Sequence, residues 1–381
     1  MNEKKEHEIH AFAWSSFLND LGGYMVFSLW PVFLTSVLGA NMAIVGFIDG
    51  LGDALVSISQ AASGYFSDRL HKRKVFIWMG YMFGALARSG YAISTAWPQV
   101  IPFRILDRAG KMREAPRDAI VADDSFHKNR GKNFGYIKQM DQLGAVVGVL
   151  AAIVLVLYLD YKTIFALAAI PSLISVLLIV FFIKEKKDGT IRLHKGIKLT
   201  DLSKNYRRFL IAGAILSIAS FSYSFLIIFA KLAGWPIVFL PVLYFLFILF
   251  AAVFSLPFGR LADKIGRRKV IFISIIFWIL TCVIFVFIQN PIILIFAFVL
   301  YGLHKAALEP AEKTFVSELA PKEFRASALG GYQMVMGLCA LPASTLAGLL
   351  WDNFGTTVPF ALSLVLTIIA AAILLMVKEK K

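Results

Sequence analysis

Ionised side chains crowd one short stretch of an otherwise apolar chain, RILDRAGKMREAPRDA, running from Arg104 to Ala119. At 100° per residue a continuous helix places Arg104, Asp107, Arg108, Lys111 and Asp118 within about one third of its circumference, with Glu114 at the edge and Arg113 and Arg117 turned away. The guanidinium forks of Arg104 and Arg108 suit bidentate contact with a carboxylate or phosphate, which Lys111 meets only as a point charge. At mid-depth three cations face Asp107, so the wedge has room for an anionic or zwitterionic solute. The expected chemistry is binding, not bond making. No Gly-rich P-loop ending in Gly-Lys-Ser/Thr and no His-Glu-x-x-His metal pattern occurs, so neither an enzyme nor a resident metal or cofactor is expected.

The elements that carry this wedge follow from composition. Of 381 residues, 59% are hydrophobic and 17% charged, against about a quarter charged in soluble domains, and mean hydropathy is +0.73. About 20 apolar residues cross a bilayer as a helix, and runs of that length recur twelve times. The spans predicted for the first half are 11–37, 42–66, 75–96, 97–120, 133–158 and 163–183. Those of the second half are 207–231, 236–258, 270–288, 291–318, 326–350 and 356–377. Alternate breaks carry Arg69, Lys72, Arg73 and Lys74, then Lys128, Arg130 and Lys132, then Lys264, Arg267, Arg268 and Lys269, then Lys322 and Arg325. The opposite set holds only Lys162 and Lys231. Positive charge marks the inner side, which predicts a multi-pass protein of the inner (cytoplasmic) membrane with both termini inside. A net charge of +15 would suit nucleic acid, yet these cations are scattered over short loops, which argues against that partner.

GYFSDRLHKRKV at 64–75 and GRLADKIGRRKV at 259–270 match at an offset of 195. Gly64 aligns with Gly259, Asp68 with Asp263, Arg69 with Lys264 and Arg73 with Arg268. The chain therefore reads as an N-terminal six-helix bundle, 1–183, a basic linker, 184–206, and a C-terminal six-helix bundle, 207–381. In this loop the chain resembles the major facilitator superfamily, whose signature is met fully by Gly259, Asp263, Lys264, Gly266, Arg267 and Arg268. The first copy, Gly64, Asp68, Arg69, Lys72 and Arg73, has His71 where glycine is usual. The resemblance implies an all-α membrane fold of twelve helices in two pseudo-symmetric bundles. It also implies alternating access to a site between repeated halves. Asp68 and Asp263 with their neighbouring cations, and Asp118 as a partner, then read as a gate on the inner side.

Charges within the membrane must face partners or water, because each costs about 2.5 to 3.5 kcal/mol on insertion scales. Asp20 and Asp141 lie at the depth of Arg108 and Lys111, and Arg88 at a depth to reach Asp49, with Asp53 one turn further along. Asp20, Asp53 and Asp141, with Asp107 and Asp49, are the candidates for proton coupling, since desolvation and a nearby arginine pull a carboxyl in opposite directions. Lys305 and His304 on the tenth span, Tyr24 and Trp30 on the first and Tyr223 in the serine-rich seventh complete the candidate binding set. Arg104 and Gly110, with Gly135, Gly144 and Gly148, also follow part of the antiporter patterns of that family. The longer run around Arg104 looks like a poorly characterised bacterial and archaeal branch of it. The reading is a monomeric, proton-coupled secondary transporter of a small organic, anionic, zwitterionic or amphipathic solute among membrane lipids. Efflux of hydrophobic drugs in exchange for protons and a non-transporting membrane sensor are the alternatives.

Overall fold

The computed structural model describes residues 3–70, 72–124, 130–185, 203–288, 290–320 and 325–379. Among them no strand occurs. Helices α1 (Glu3–Val32), α2 (Met42–Leu70), α3 (Arg73–Ile93), α4 (Trp97–Ala109), α5 (Glu114–Asp124), α6 (Arg130–Leu155) and α7 (Tyr161–Phe182) form the first six spans. Helices α8 (Lys204–Ala219), α9 (Tyr223–Leu232), α10 (Leu240–Ile265), α11 (Arg267–Phe287), α12 (Pro291–Leu319), α13 (Arg325–Phe354) and α14 (Val358–Leu375) form the other six. Two predicted helices are broken. A 3-10 turn at Gly110–Arg113 separates α4 from α5, and Ser220–Ser222 separate α8 from α9.

Nine spans are long and apolar enough to cross a membrane by composition, among the described residues. The remaining three are the first, third and fourth, the ones that carry Asp20, Arg88 and the Arg104–Arg117 run. Lipid-like solvent suits the exposed side chains of the others, which include Leu150, Val154, Phe181, Leu256, Ile276 and Ile368. Polar caps start several helices. Asp160 accepts from the Lys162 backbone N–H and from Thr163 Oγ1 at the start of α7, and the Thr163 hydroxyl, chiefly, holds this carboxyl below its ordinary range. Asn290 caps α12 in the same way, with Pro291 in the first helical position where no donor is needed.

The chain forms two compact units, which are not its plain halves. One comprises Met1–Gly39 and Leu55–Arg192, the other Ala40–Ala54 and Leu193–Lys381, so the first part of α2 belongs with the second unit. In the first unit α1 packs on α6 and α7, and α3 on α7 and α4. The α1–α6 approach explains two glycines of the antiporter-like pattern. A Cβ on Gly144 or Gly148 would run into the backbone carbonyl of Phe17 or Leu21. The core here is Phe12, Ile77, Tyr81, Ile120, Ile137 and Ile179. In the second unit α12 packs on α10 and α11, and α8 on α14 and α13, around Phe209, Ile271, Ile275, Phe315 and Leu374.

The repeat extends to a clamp in each unit. The Glu379 carboxylate accepts the Arg267 and Arg268 backbone N–H groups, while Arg268 Nη1 donates to the Val377 carbonyl at 2.7 Å. Its counterpart is Glu185, which accepts from the Lys74 backbone N–H, while Lys74 Nζ donates to the Val180 carbonyl at 2.7 Å. Each glutamate thus satisfies orphan donors at a helix N-terminus, where negative charge is also favoured. Gly266 permits the second clamp through its positive φ of 102°. Replacing Glu379 by Ala is expected to cost about 1 kcal/mol, a typical capping loss, read as a lower unfolding midpoint in detergent.

Candidate functional site

The break in the fourth span decides where its charges point. A 3-10 turn advances about 120° per residue, not 100°, so four such residues rotate the following helix by roughly 80°. That rotation corrects the helical-wheel expectation: Arg113 and Arg117 do not point away but are buried inside the first unit. Arg113 Nη2 lies 3.8 Å from Asp20 Oδ1, and its guanidinium covers the Tyr81 ring at 4.8 Å. Arg117 Nη1 donates to Ser16 Oγ at 2.7 Å and lies 3.9 Å from Asp141. Asp20 and Asp141 are therefore answered by these two arginines, not by Arg108 and Lys111. Lys111 pairs with Glu114 at 2.7 Å, and the other Glu114 oxygen accepts from Gln60 Nε2.

Arg104 and Arg108 rest on aromatic rings of α1. The Arg104 guanidinium stacks over Trp30 at 4.6 Å and Phe27 at 5.7 Å, and that of Arg108 over Phe27 at 4.6 Å. Trp30 is itself held by Tyr91, ring centroids 4.9 Å apart, and Tyr24 meets Phe27 edge-on. Arg104 is 1% exposed. Asp107, also buried, lies 3.7 Å from Arg108 Nε. Arg88 on α3 joins this group at 3% exposure, and its hydrogen-bond partner is the neutral Asn19 at 3.3 Å. Arg88, Phe27, Asn19 and Gln60 are the members that sequence reasoning missed as parts of the site. Arg88 shows only as an intramembrane charge. Phe27, one turn before Trp30, looks like one more apolar side chain. The arrangement sets four guanidinium groups, Arg88, Arg104, Arg108 and Arg113, against the carboxylates of Asp20 and Asp107. Such a group attracts an anion and offers it planar donors above aromatic faces.

The second unit holds a different polar group. Asp49, 2% exposed, accepts from Ser222 Oγ at 2.7 Å and Ser224 Oγ at 2.6 Å, at the start of α9. The serine-rich stretch thus ties the broken helix to α2, while the Tyr223 ring lies tilted against that of Tyr244, centroids 4.9 Å apart. His304 is fully buried, with Nδ1 2.9 Å from Ser274 Oγ and its ring against Trp278. Lys305 Nζ lies 5.7 Å from the Tyr301 ring and shares its surroundings electrostatically with Asp53 and Glu309.

The loop signature is partly described. Arg267 bridges Asp263 at 2.8 Å and Glu318 at 3.1 Å, while Lys264 is exposed. In the first copy Arg69 Nη1 donates to Tyr65 at 3.3 Å. Asp118 pairs with its neighbour Arg117 at 3.0 Å. The Asp68 side chain, His71, Lys128, Lys322 and linker residues 186–202 lie outside the described residues, as does the side chain of Arg130.

Twelve helical spans, with ionised groups buried among aromatic side chains, define a multi-pass membrane protein. The chain belongs to the major facilitator superfamily, whose family profile matches residues 12–252 and 209–381. An uncharacterized MFS-type transporter of Methanocaldococcus jannaschii is 35% identical over 97% of this chain and 94% of that protein. A probable 4-methylmuconolactone transporter of Cupriavidus pinatubonensis is 26% identical over 80% of this chain and 74% of its own. Among solved structures, the nucleoside transporter NupG superimposes with a TM-score of 0.81 at 15% identity, covering 98% of this chain and 100% of that one, a likeness of fold. The protein is thus a transporter and not an enzyme.

Proposed function

We propose that this transporter carries a small organic anion by alternating access, coupled to protons, in the cytoplasmic membrane with both termini inside. The observation that carries the reading is the placement of Arg104 and Arg108 over Trp30 and Phe27. Buried guanidinium groups above aromatic faces favour a flat cargo with a carboxylate, since the charge meets the forks while the apolar part lies along the rings. The Cupriavidus relative, a probable 4-methylmuconolactone transporter, is consistent with a small organic cargo. Asp107 lies 3.7 Å from Arg108, so a negatively charged cargo can compete with this carboxylate for the guanidinium. Asp263 with Arg267 and Glu318 reads as an inner gate that opens by breaking ion pairs.

The test is uptake into proteoliposomes with 4-methylmuconolactone and benzoate as probes. Accumulation under an imposed pH gradient, abolished by a protonophore, is expected. Uptake of neither probe, together with export of lipophilic cations, would instead favour drug efflux.

A further inference from the structure

Arg88 and Tyr91 carry buried donors that the side chains around them leave unanswered. Both sit on α3, three residues apart and so on one face of the helix. The Arg88 guanidinium lies over two glycines. A Cβ on Gly23 of α1 would stand 3.0 Å from Nη2, and one on Gly84 would stand 3.8 Å from it. Nη1 donates to Asn19 Oδ1 at 3.3 Å, while Asn19 Nδ2 is engaged by Asp20 Oδ1 at 3.1 Å. Asp20 faces Arg113 at 3.8 Å, and Asp107 faces Arg108 at 3.7 Å. Among the described residues no carboxylate pairs directly with Arg88, and its Nε is buried without an acceptor. Tyr91 is fully buried, its ring 4.9 Å from that of Trp30 and edge-on to Phe103 and Phe165. Its hydroxyl also has no hydrogen-bond partner among the described residues, with Asp107, Arg104 and Arg108 as its charged neighbours. The Trp30 ring against which Tyr91 lies carries the Arg104 guanidinium as well, at 4.6 Å.

We infer that the cargo is a dianion, a short dicarboxylate whose second carboxylate is held by Arg88 and Tyr91 while the first meets Arg104 and Arg108. The inference rests on the anionic-cargo reading above and narrows it. A buried donor without an acceptor is costly, and a buried cation without a counter-charge is more so. A carboxylate answers both at once, one oxygen accepting from the guanidinium and the other from the phenol O–H. A carbonyl or hydroxyl group of the cargo would accept the same hydrogen bonds but leave the Arg88 charge without a counter-ion. The acids of the site do not fill that place. Asp107 and Asp20 act on Arg88 from beyond contact distance, the first in contact with Arg108 and the second reaching Arg88 only through the neutral Asn19 amide. Trp30 sets the length of the cargo. Arg104 and Tyr91 both lie against that ring, so the two carboxylates stand about one aromatic ring apart, with the apolar middle along Trp30 and Phe27.

Calorimetry on the purified protein at neutral pH, comparing benzoate with phthalate, isophthalate and terephthalate, tests this directly. The four acids share one ring and differ in the second carboxylate and its spacing. At least one dicarboxylate is expected to bind about tenfold tighter than benzoate or more, as one added charge-assisted contact provides. In Arg88→Gln the ratio of the two affinities is expected to fall toward one, and in Tyr91→Phe it is expected to fall several-fold. Dicarboxylates that bind no tighter than benzoate in the parent protein overturn the inference, as does a ratio that survives in Arg88→Gln because both ligands weaken equally. If that variant does not fold, an unmoved ratio in Tyr91→Phe overturns it as well. The two readings fail separately. Benzoate binding with no gain from a second carboxylate leaves a monoanionic cargo standing, whereas a parent protein that binds none of the four acids removes the anionic cargo itself.

Discussion

Replacing Arg104 or Arg108 by Gln is expected to weaken carboxylate binding tenfold to about a hundredfold each, the loss of one charge-assisted contact of about 1.5 to 3 kcal/mol. The physical reason is the pairing of fork and ring. Each guanidinium lies 4.6 Å from an α1 ring centroid, so part of its freedom is already given up to the ring before any cargo binds. Lysine at either position keeps the charge but loses the planar fork, and an intermediate loss is expected. The measurement is equilibrium binding of benzoate to purified variants, beside the thermal midpoint of each to confirm folding. Unchanged affinity in the double Gln variant would remove these residues from the site.

The second large effect concerns stability. Arg117, 9% exposed, reaches from α5 to Ser16 on α1 and Asp141 on α6. Arg117→Ala removes the Ser16 hydrogen bond and the cation beside the part-buried Asp141, and losing such charge-assisted contacts costs about 1.5 to 3 kcal/mol. A clear drop in the unfolding midpoint in detergent is expected. Joint replacement with Asp141→Asn is expected to recover most of it, because the stranded charge is then gone. An equal loss in the double variant would mean that packing of the arginine stem, not charge, sustains the three-helix contact.

The twelve spans and the repeat are legible in the sequence because a bilayer demands long apolar runs and because the two loop copies keep their spacing. What escapes is rotation. Hydropathy reports depth along a helix but not the direction a side chain takes, so it marks neither Asn19 as the partner of Arg88 nor two serines as the partners of Asp49. The 3-10 turn at Gly110–Arg113 leaves no mark in composition, yet it re-aims Arg113 and Arg117. The break at Ser220–Ser222 carries a visible cluster of hydroxyls, but their acceptor lies over 170 residues earlier in the chain.

The central claim is that buried arginines select a negatively charged cargo, and the most direct test compares ligands that differ only in charge. Benzoate and benzamide, added separately to the purified protein, share ring and size. The account predicts that benzoate binds, measured by calorimetry, and that raising salt weakens it, while benzamide binds far more weakly or not at all. Equal binding of the two, or tighter binding of the amide, would contradict it.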